Sequence, residues 1–335
     1  MKKILLAITL IGSGVFAQNM SEQDLANETY DSLISYYDQN VHDTLVARRI
    51  ANVYIDKARL EQDSIRMARG YSRLSFVSKY EEALKYLDTT IQLSKNSNHK
   101  NFPTVGYLFK SLYHYNNEAY EESLKNAISG YQYAKQKGNV GQQITALHQI
   151  NGINELWGDY NKTLEAEQLT YSLLQENKGI NRYYELYQSS VEGLGKCYVR
   201  LKKPDSALYF FQKGIERALR AKDTATYHAF VSRTGTALYI KGNYAAALDS
   251  LNKAINTEIS LFPATLYIII TMLGVSITIW EMRRRPLLIS KLWIQFMNNM
   301  SSCPPNSPWF IIDWQNIIKS RTTMKCSSNT SISWY

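Results

Sequence analysis

The segment LGKCYVRLKKPDSALYFFQKGI, residues 194–215, has the pattern of two short helices joined by a tight turn. Gly195 and Tyr198 fall on the first helical stretch, and Ala207 falls on the second. Pro204 is suited to begin the second helix because its fixed φ matches a first helical turn. Small residues are expected where two helices approach closely, and neither helix could bury its apolar stripe without a neighbour.

The start of that second helix recurs along the chain as a pentapeptide that ends in a small or hydroxyl residue followed by leucine. The intervals between successive copies are 40, 40, 44 and 40 residues. A fixed period in this range is typical of stacked supersecondary units. The copies are YEEAL at 80–84, YEESL at 120–124, YNKTL at 160–164, PDSAL at 204–208 and YAAAL at 244–248.

These features predict an all-α fold: a right-handed α-solenoid of stacked antiparallel helix pairs over residues 18–256, with a period of about 40. The pattern resembles the tetratricopeptide repeat (TPR), through the small–leucine steps and the Gly-x-x-Tyr spacing of Gly195 and Tyr198. The period of that repeat is usually 34 residues, so longer helices and turns are expected, with turns at 95–103 and 135–141. The predicted repeat-packing residues are Ala83, Ser123, Thr163, Ala207 and Ala247.

No catalytic motif is found in the sequence. It contains no HExxH, P-loop or GxSxG motif, and the GLG at 193–195 lies inside a helical pattern with no strand before it. The three cysteines are scattered, which argues against a disulfide framework or a metal site. The net charge of +9 is not clustered within the repeats. We therefore expect no enzyme activity, no cofactor, no metal and no nucleic-acid partner.

The resemblance to TPR proteins implies a protein or peptide ligand, held on the concave face that the first helices of the pairs would build. Matching the register of the two best-preserved units to the family gives the residues expected on that face. These candidate binding residues are Glu192, Lys196, Val199, Arg200, Thr236 and Tyr239.

The N-terminal stretch MKKILLAITLIGSGVFAQ, residues 1–18, has the three parts of a signal peptide. Two lysines precede an apolar run that is too short to span a bilayer comfortably, and small residues lead to a cleavage site after Ala17. The sequence therefore predicts a signal peptide over 1–17, export from the bacterial cytoplasm and a periplasmic location.

The region 257–335 lacks the repeat, and its apolar stretch at 261–280 supports a membrane interpretation. Those twenty residues carry no charge, and three arginines follow at 283–285. Such a pattern predicts a transmembrane helix that anchors the protein with its C-terminus in the cytoplasm.

A one-base frame slip is the competing interpretation of the same region. If the third base of each codon is read with the first two of the next, Trp280–Glu281 must encode glycine at the register position of Gly242. Asp313–Trp314 must likewise encode leucine, and Trp314–Gln315 must encode alanine, at the positions of Leu194 and Gly195. Residues 257–335 would then be an irregular tail made of out-of-frame repeat sequence.

The chain also resembles the exported N-terminal repeat region of bacterial TPR/AraC-type helix-turn-helix regulators. The resemblance rests on the signal-peptide stretch, on KARLEQDSIRMARGYSRLSFVSKYEEALKYLDTTI and on the repeats that follow. No helix-turn-helix residues are found, so DNA binding is not carried over. The first hypothesis is an exported peptide-binding scaffold. The alternative is the sensor half of a membrane-spanning transcriptional regulator, truncated before its AraC-type domain.

Overall fold

The computed structural model describes residues 20–258, which form thirteen α-helices and no β-strand. The chain divides into two compact units after Ser250, and the first twelve helices lie in the first unit. The helices are α1 (Glu22–Asn27), α2 (Tyr30–Gln39), α3 (Thr44–Leu60), α4 (Ser64–Phe76), α5 (Tyr80–Ser94), α6 (Thr104–Asn116), α7 (Tyr120–Gln136), α8 (Val140–Leu156), α9 (Tyr160–Glu176), α10 (Tyr183–Arg200), α11 (Pro204–Ala221), α12 (Thr224–Ile240) and α13 (Tyr244–Glu258).

Successive helices from α3 to α12 pack against one another in order along the chain. Helices α4, α6, α8, α10 and α12 are the first helices of the predicted pairs, and each is followed by a second helix that carries the recurring pentapeptide. The predicted all-α solenoid of stacked antiparallel helix pairs is therefore confirmed. Each helix buries its apolar stripe on the helices before and after it in sequence.

Most turns between these helices share one short design, illustrated by the turn between α3 and α4. Gln62 adopts a left-handed conformation with φ 57°, which ends α3. The next residue, Asp63, donates its backbone N–H to the carbonyl oxygen of Ala58 at 2.9 Å, and its side chain accepts a hydrogen bond from the backbone N–H of Arg66. One residue thus closes a helix and caps the next. The same double role falls to Asn139, Asp159 and Asp223.

The predicted long turn at 95–103 is confirmed as the linker between α5 and α6. The turn predicted over 135–141 is shorter than expected, because α7 continues to Gln136 and α8 begins at Val140. Gly138, with φ 62°, ends α7, and Asn139 caps α8, so only three residues are needed to reverse the chain.

All five predicted repeat-packing residues are buried, each with at most 1 % of its surface exposed. The α10–α11 pair shows how closely the helices approach. A Cβ atom added to Gly195 on α10 would stand 2.1 Å from Cε1 of Phe211 on α11. The ring of Phe211 therefore lies directly against the backbone of the neighbouring helix, in space that only a glycine leaves.

Three of the sequence predictions fall outside the described residues. They are the signal peptide at 1–17, the apolar segment at 261–280 and the frame slip in the tail beyond Glu258. Among the helices within 20–258, none is long and apolar enough to cross a membrane.

Candidate binding face on the first helices

One register column links a first helix to the first helix before it at three of the four steps from α4 to α12. The column lies fourteen residues before the small residue of each of the last four pentapeptides. The ring of Phe109 on α6 packs edge-on against Phe76 of α4, with centroids 4.6 Å apart. Gln149 on α8 donates its Nε2–H to a backbone carbonyl oxygen of α6 at 3.1 Å, and Arg233 on α12 donates to Glu192 of α10 at 2.5 Å. We call this set the linking column; it consists of Phe109, Gln149, Gly193 and Arg233.

Gly193 on α10 is the member of the linking column that has no side chain to reach back to α8. The carboxyl group of Glu167, which comes from the second helix α9, lies there instead. A Cβ atom added to Gly193 would stand 2.5 Å from both Cδ and Oε1 of Glu167. Asn151 on α8 donates its Nδ2–H to the same Oε1 atom at 2.9 Å.

Asn151 and Glu167 stand in register positions that belong to the apolar core of the other pairs. In the next pair the same two positions hold Gly195 and Phe211. Asn151 is 5 % exposed and Glu167 is 8 % exposed, so the polar pair is as buried as a core pair. A buried carboxyl group is expected to be paired, because leaving it without partners is costly.

The hydrogen bonding of this polar pair is incomplete. Oε2 of Glu167 and Oδ1 of Asn151 are both buried without a hydrogen-bond partner. Burial raises the pKa of Glu167 to about 7, against the lowering effect of the hydrogen bond from Asn151. The carboxylate of Glu155 raises that pKa further, while the ammonium of Lys196 lowers it. The carboxyl group therefore titrates near neutral pH, and its charge state depends on what lies nearby.

Two of the predicted binding residues lie close to this polar pair and join neighbouring first helices. Lys196 on α10 lies 4.0 Å from the Oε1 atom of Glu155 on α8, and Glu192 on α10 accepts the hydrogen bond from Arg233 on α12. The side chain of Lys196 is 46 % exposed. Both residues thus take part in charged contacts across the first helices and remain in reach of a ligand.

The other four predicted binding residues lie in different surroundings. Val199 packs on the apolar cluster around Phe211, because its position lies at the edge between the core and the face of α10. The guanidinium of Arg200 lies over the ring of Tyr160, 5.8 Å from its centroid. Thr236 and Tyr239 are partly exposed on α12. Glu192 and Lys196 thus both act on the buried carboxyl group of Glu167, and the structure does not bring all six residues together.

Further buried polar atoms without partners lie on the same helices. His148 is one of them, and burial lowers its pKa, so it is neutral at physiological pH. Such atoms are rare in folded proteins and call for an explanation where they cluster. On α8, α10 and α12 they are Gln142 Oε1, His148 Nε2, Gln149 Oε1, Gln188 Oε1, Ser190 Oγ and Arg233 Nε. Gln188 and Ser190 lie inside the helix packing. We call the surface made by the partly exposed side chains of Gln149, Glu155, Glu192, Lys196 and Arg233 the first-helix face.

The side chains on the described helices give no sign of metal binding or thiol chemistry. Cys197 is buried on α10, and burial raises the pKa of its thiol to about 12, so it packs as a small apolar residue. Within residues 20–258, no group of three or more potential metal ligands lies together.

Comparison with known proteins defines the fold class. No family model matches the sequence, and no curated protein matches it. The apo form of RapI aligns with a TM-score of 0.54 and 14% identity, over 83% of this chain and 89% of that chain. BtubC (BKLC) from P. vanneervenii aligns with a TM-score of 0.50 and 12% identity, over 63% of this chain and 89% of that chain. The chain therefore has the fold of TPR-like helical-repeat proteins.

A third solved structure is more distant. It is a Rap protein complexed with Competence and Sporulation Factor, and it aligns with a TM-score of 0.46 and 14% identity, over 81% of this chain and 76% of that chain. That likeness is too weak to support an argument about this chain.

Proposed function

We propose that this protein is a scaffold that binds a peptide, or an extended segment of a partner protein, on its first-helix face. The observation that carries the proposal is the row of partly exposed charged side chains that join α8, α10 and α12, Glu155 with Lys196 and Glu192 with Arg233. An extended peptide offers backbone N–H and C=O groups along its length, which match a surface that carries both acceptors and donors. Solenoids of stacked helix pairs commonly use such extended surfaces for binding.

The electrostatics of the face favour a ligand with polar groups over an apolar one. Glu155 and Lys196 form one charged pair across α8 and α10, and Glu192 and Arg233 form another across α10 and α12. These pairs are partly exposed, so each is worth little for stability. Their side chains are free to exchange partners when a peptide arrives, which suits them to recognition.

Lys196→Glu should weaken peptide binding about tenfold, because it places a like charge beside Glu155 and changes the potential of the face. The ligands are peptides selected from a random phage-displayed library on the full-length protein, and their affinities are measured by fluorescence anisotropy. The matched control is Lys162→Glu, since Lys162 lies on the second helix α9 and is 69% exposed. The proposal is wrong if no peptide is enriched, or if the two variants weaken binding equally.

Export is a separate proposal, and it rests on the sequence of residues 1–17 alone. Cleavage after Ala17 would place the scaffold outside the cytoplasm. Mass spectrometry of the mature protein should find Gln18 as its first residue. Folded protein that retains Met1 would contradict the proposal, whatever the outcome of the peptide selection.

A further inference from the structure

At Gly193, where the linking column has no side chain, two buried acceptor atoms have no partner. Oδ1 of Asn151 and Oε2 of Glu167 are both unpaired, and their residues are more than nine-tenths buried. Gly193 itself is partly exposed, so the carboxyl group lies just beneath the first-helix face. An amide oxygen and an ionised carboxylate can only accept hydrogen bonds. The group that complements them must therefore carry several N–H donors.

The charges around this position favour a cation. The carboxylates of Glu155 and Glu192 raise the pKa of Glu167, and the ammonium of Lys196 lowers it. The chain also shows which group fits this column. One step further along, Arg233 occupies the equivalent position and donates from its guanidinium to Glu192. A guanidinium at the Gly193 position would meet the same kind of acceptor.

We propose that Asn151 and Glu167 form a subsite that binds the cationic side chain of an arginine or lysine in the peptide ligand. This inference rests on the proposed peptide-binding function and specifies it. The ligand side chain approaches the carboxyl group of Glu167 beside Gly193, from the side on which Gln149 and Arg233 make their contacts in the neighbouring steps of the linking column. It donates hydrogen bonds to Oδ1 of Asn151 and Oε2 of Glu167, and hydrogen bonds between charged groups are among the stronger ones.

Binding at this subsite depends on pH, because a bound cation favours the ionised form of Glu167. Burial places the pKa of Glu167 at about 7 in the free protein, so below that pH the cation must displace a proton. The titratable and charged groups that act on this carboxyl are Glu155 on α8 and Glu192 and Lys196 on α10. The thiol of Cys197 on α10 also lies nearby, and its pKa of about 12 keeps it neutral. Affinity should therefore rise from pH 5.5 to pH 8.

The test uses two pools of random synthetic pentapeptides that differ in one fixed central residue. That residue is arginine in one pool and citrulline, which has the same shape but no charge, in the other. At pH 8 the full-length wild-type protein should retain the arginine pool about tenfold more strongly than the citrulline pool. A factor of about ten is typical of a hydrogen bond to a charged group. The preference should shrink at pH 5.5. Retained peptides are quantified by mass spectrometry.

Glu167→Gln should abolish the preference at both pH values, because glutamine keeps the shape and the acceptor for Asn151 but cannot ionise. Glu165→Gln is the matched control, since Glu165 is an exposed glutamate on the same helix and its loss should leave the preference intact. Circular dichroism checks that each variant is folded. The wild-type comparison of the two pools decides the question even if a variant misfolds.

The outcomes separate this inference from the proposed function. Equal retention of both pools by the wild-type protein contradicts the cation subsite and leaves the peptide scaffold standing. A preference that survives Glu167→Gln also contradicts the subsite. Retention of neither pool, with no peptide enriched from the phage library, contradicts both proposals.

Discussion

Glu167→Gln should raise the free energy of unfolding at pH 8 by on the order of 3 kcal/mol. Burial raises the pKa of Glu167 from 4.5 to about 7 in the folded protein. The folded state therefore holds this proton more tightly than the unfolded chain. Between pH 4.5 and 7 the unfolded state binds fewer protons, so stability falls as the pH rises through that window. Glutamine carries no charge at any pH and escapes this penalty.

The measurement is urea unfolding of wild-type protein and variant at pH 5 and pH 8. The two proteins should differ little at pH 5, where most of the penalty is absent, and should differ most at pH 8. Glu165→Gln removes the same charge from an exposed position on α9 and should change stability by less than about 0.5 kcal/mol at either pH. A wild-type protein that is as stable as Glu167→Gln at pH 8 would show that the carboxyl group is not buried as described.

This stability effect and the proposed subsite share one physical origin. A carboxyl group that is costly to ionise in the free protein gains most from a cation that arrives with a ligand. Perturbed pKa values of this kind are often found in active and binding sites. If a peptide binds as proposed, its cation would offset part of the energy lost by burying Glu167 without a full set of partners.

The repeat architecture was predictable from the sequence because it depends on features that recur. Five copies of a small–leucine step at a nearly constant spacing indicate where the helices of a pair approach each other, and the structure buries residues such as Ala207 there. The turns also recur, since asparagine or aspartate repeatedly precedes the next helix, but the turn predicted over 135–141 was longer than the one observed. Local chemistry that is repeated can be recognised without coordinates.

The polar pair was missed because it is a departure from the repeat. A signal was present: Glu167 occupies the register position that holds Leu87, Ala127 and Phe211 in other pairs. Sequence alone could not show whether this glutamate turns outward to water or inward. The answer depends on Gly193, on the following helix, which leaves room for the carboxyl group. To predict this arrangement, one would need to know which side chains meet across three helices.

The binding face stays a prediction, but the positions of its residues can be compared with the structure. Matching register to the TPR family selected Glu192, which pairs with Arg233 on α12, and Lys196, which lies near Glu155 on α8. The same method included Val199, which packs against the core instead. Positions at the edge of a helix face turn inward or outward according to the apolar character of the side chain and the space beside it.

Gly195→Ala and Gly152→Ala should change stability in opposite directions, although both replace a helical glycine on a first helix. The added Cβ at Gly195 would stand 2.1 Å from Phe211, whose ring is 1 % exposed and packs near Phe230. The ring has no free space to enter, so overpacking should destabilise the protein by about 1–3 kcal/mol. At Gly152 the nearest atom, on Tyr115, is 3.9 Å away, which is ordinary contact. Alanine there should stabilise the helix by up to about 1 kcal/mol.

Urea unfolding of the two variants beside the wild-type protein measures this contrast directly. The comparison holds the chemical change constant, so any difference in sign reports the space at each site rather than helix propensity. If Gly195→Ala were as stable as Gly152→Ala, the close approach of α10 and α11 would be wrong. The register that places Asn151 and Glu167 in the equivalent positions of the preceding pair would then lose its support, because Gly195 and Phe211 are the pair to which they are matched.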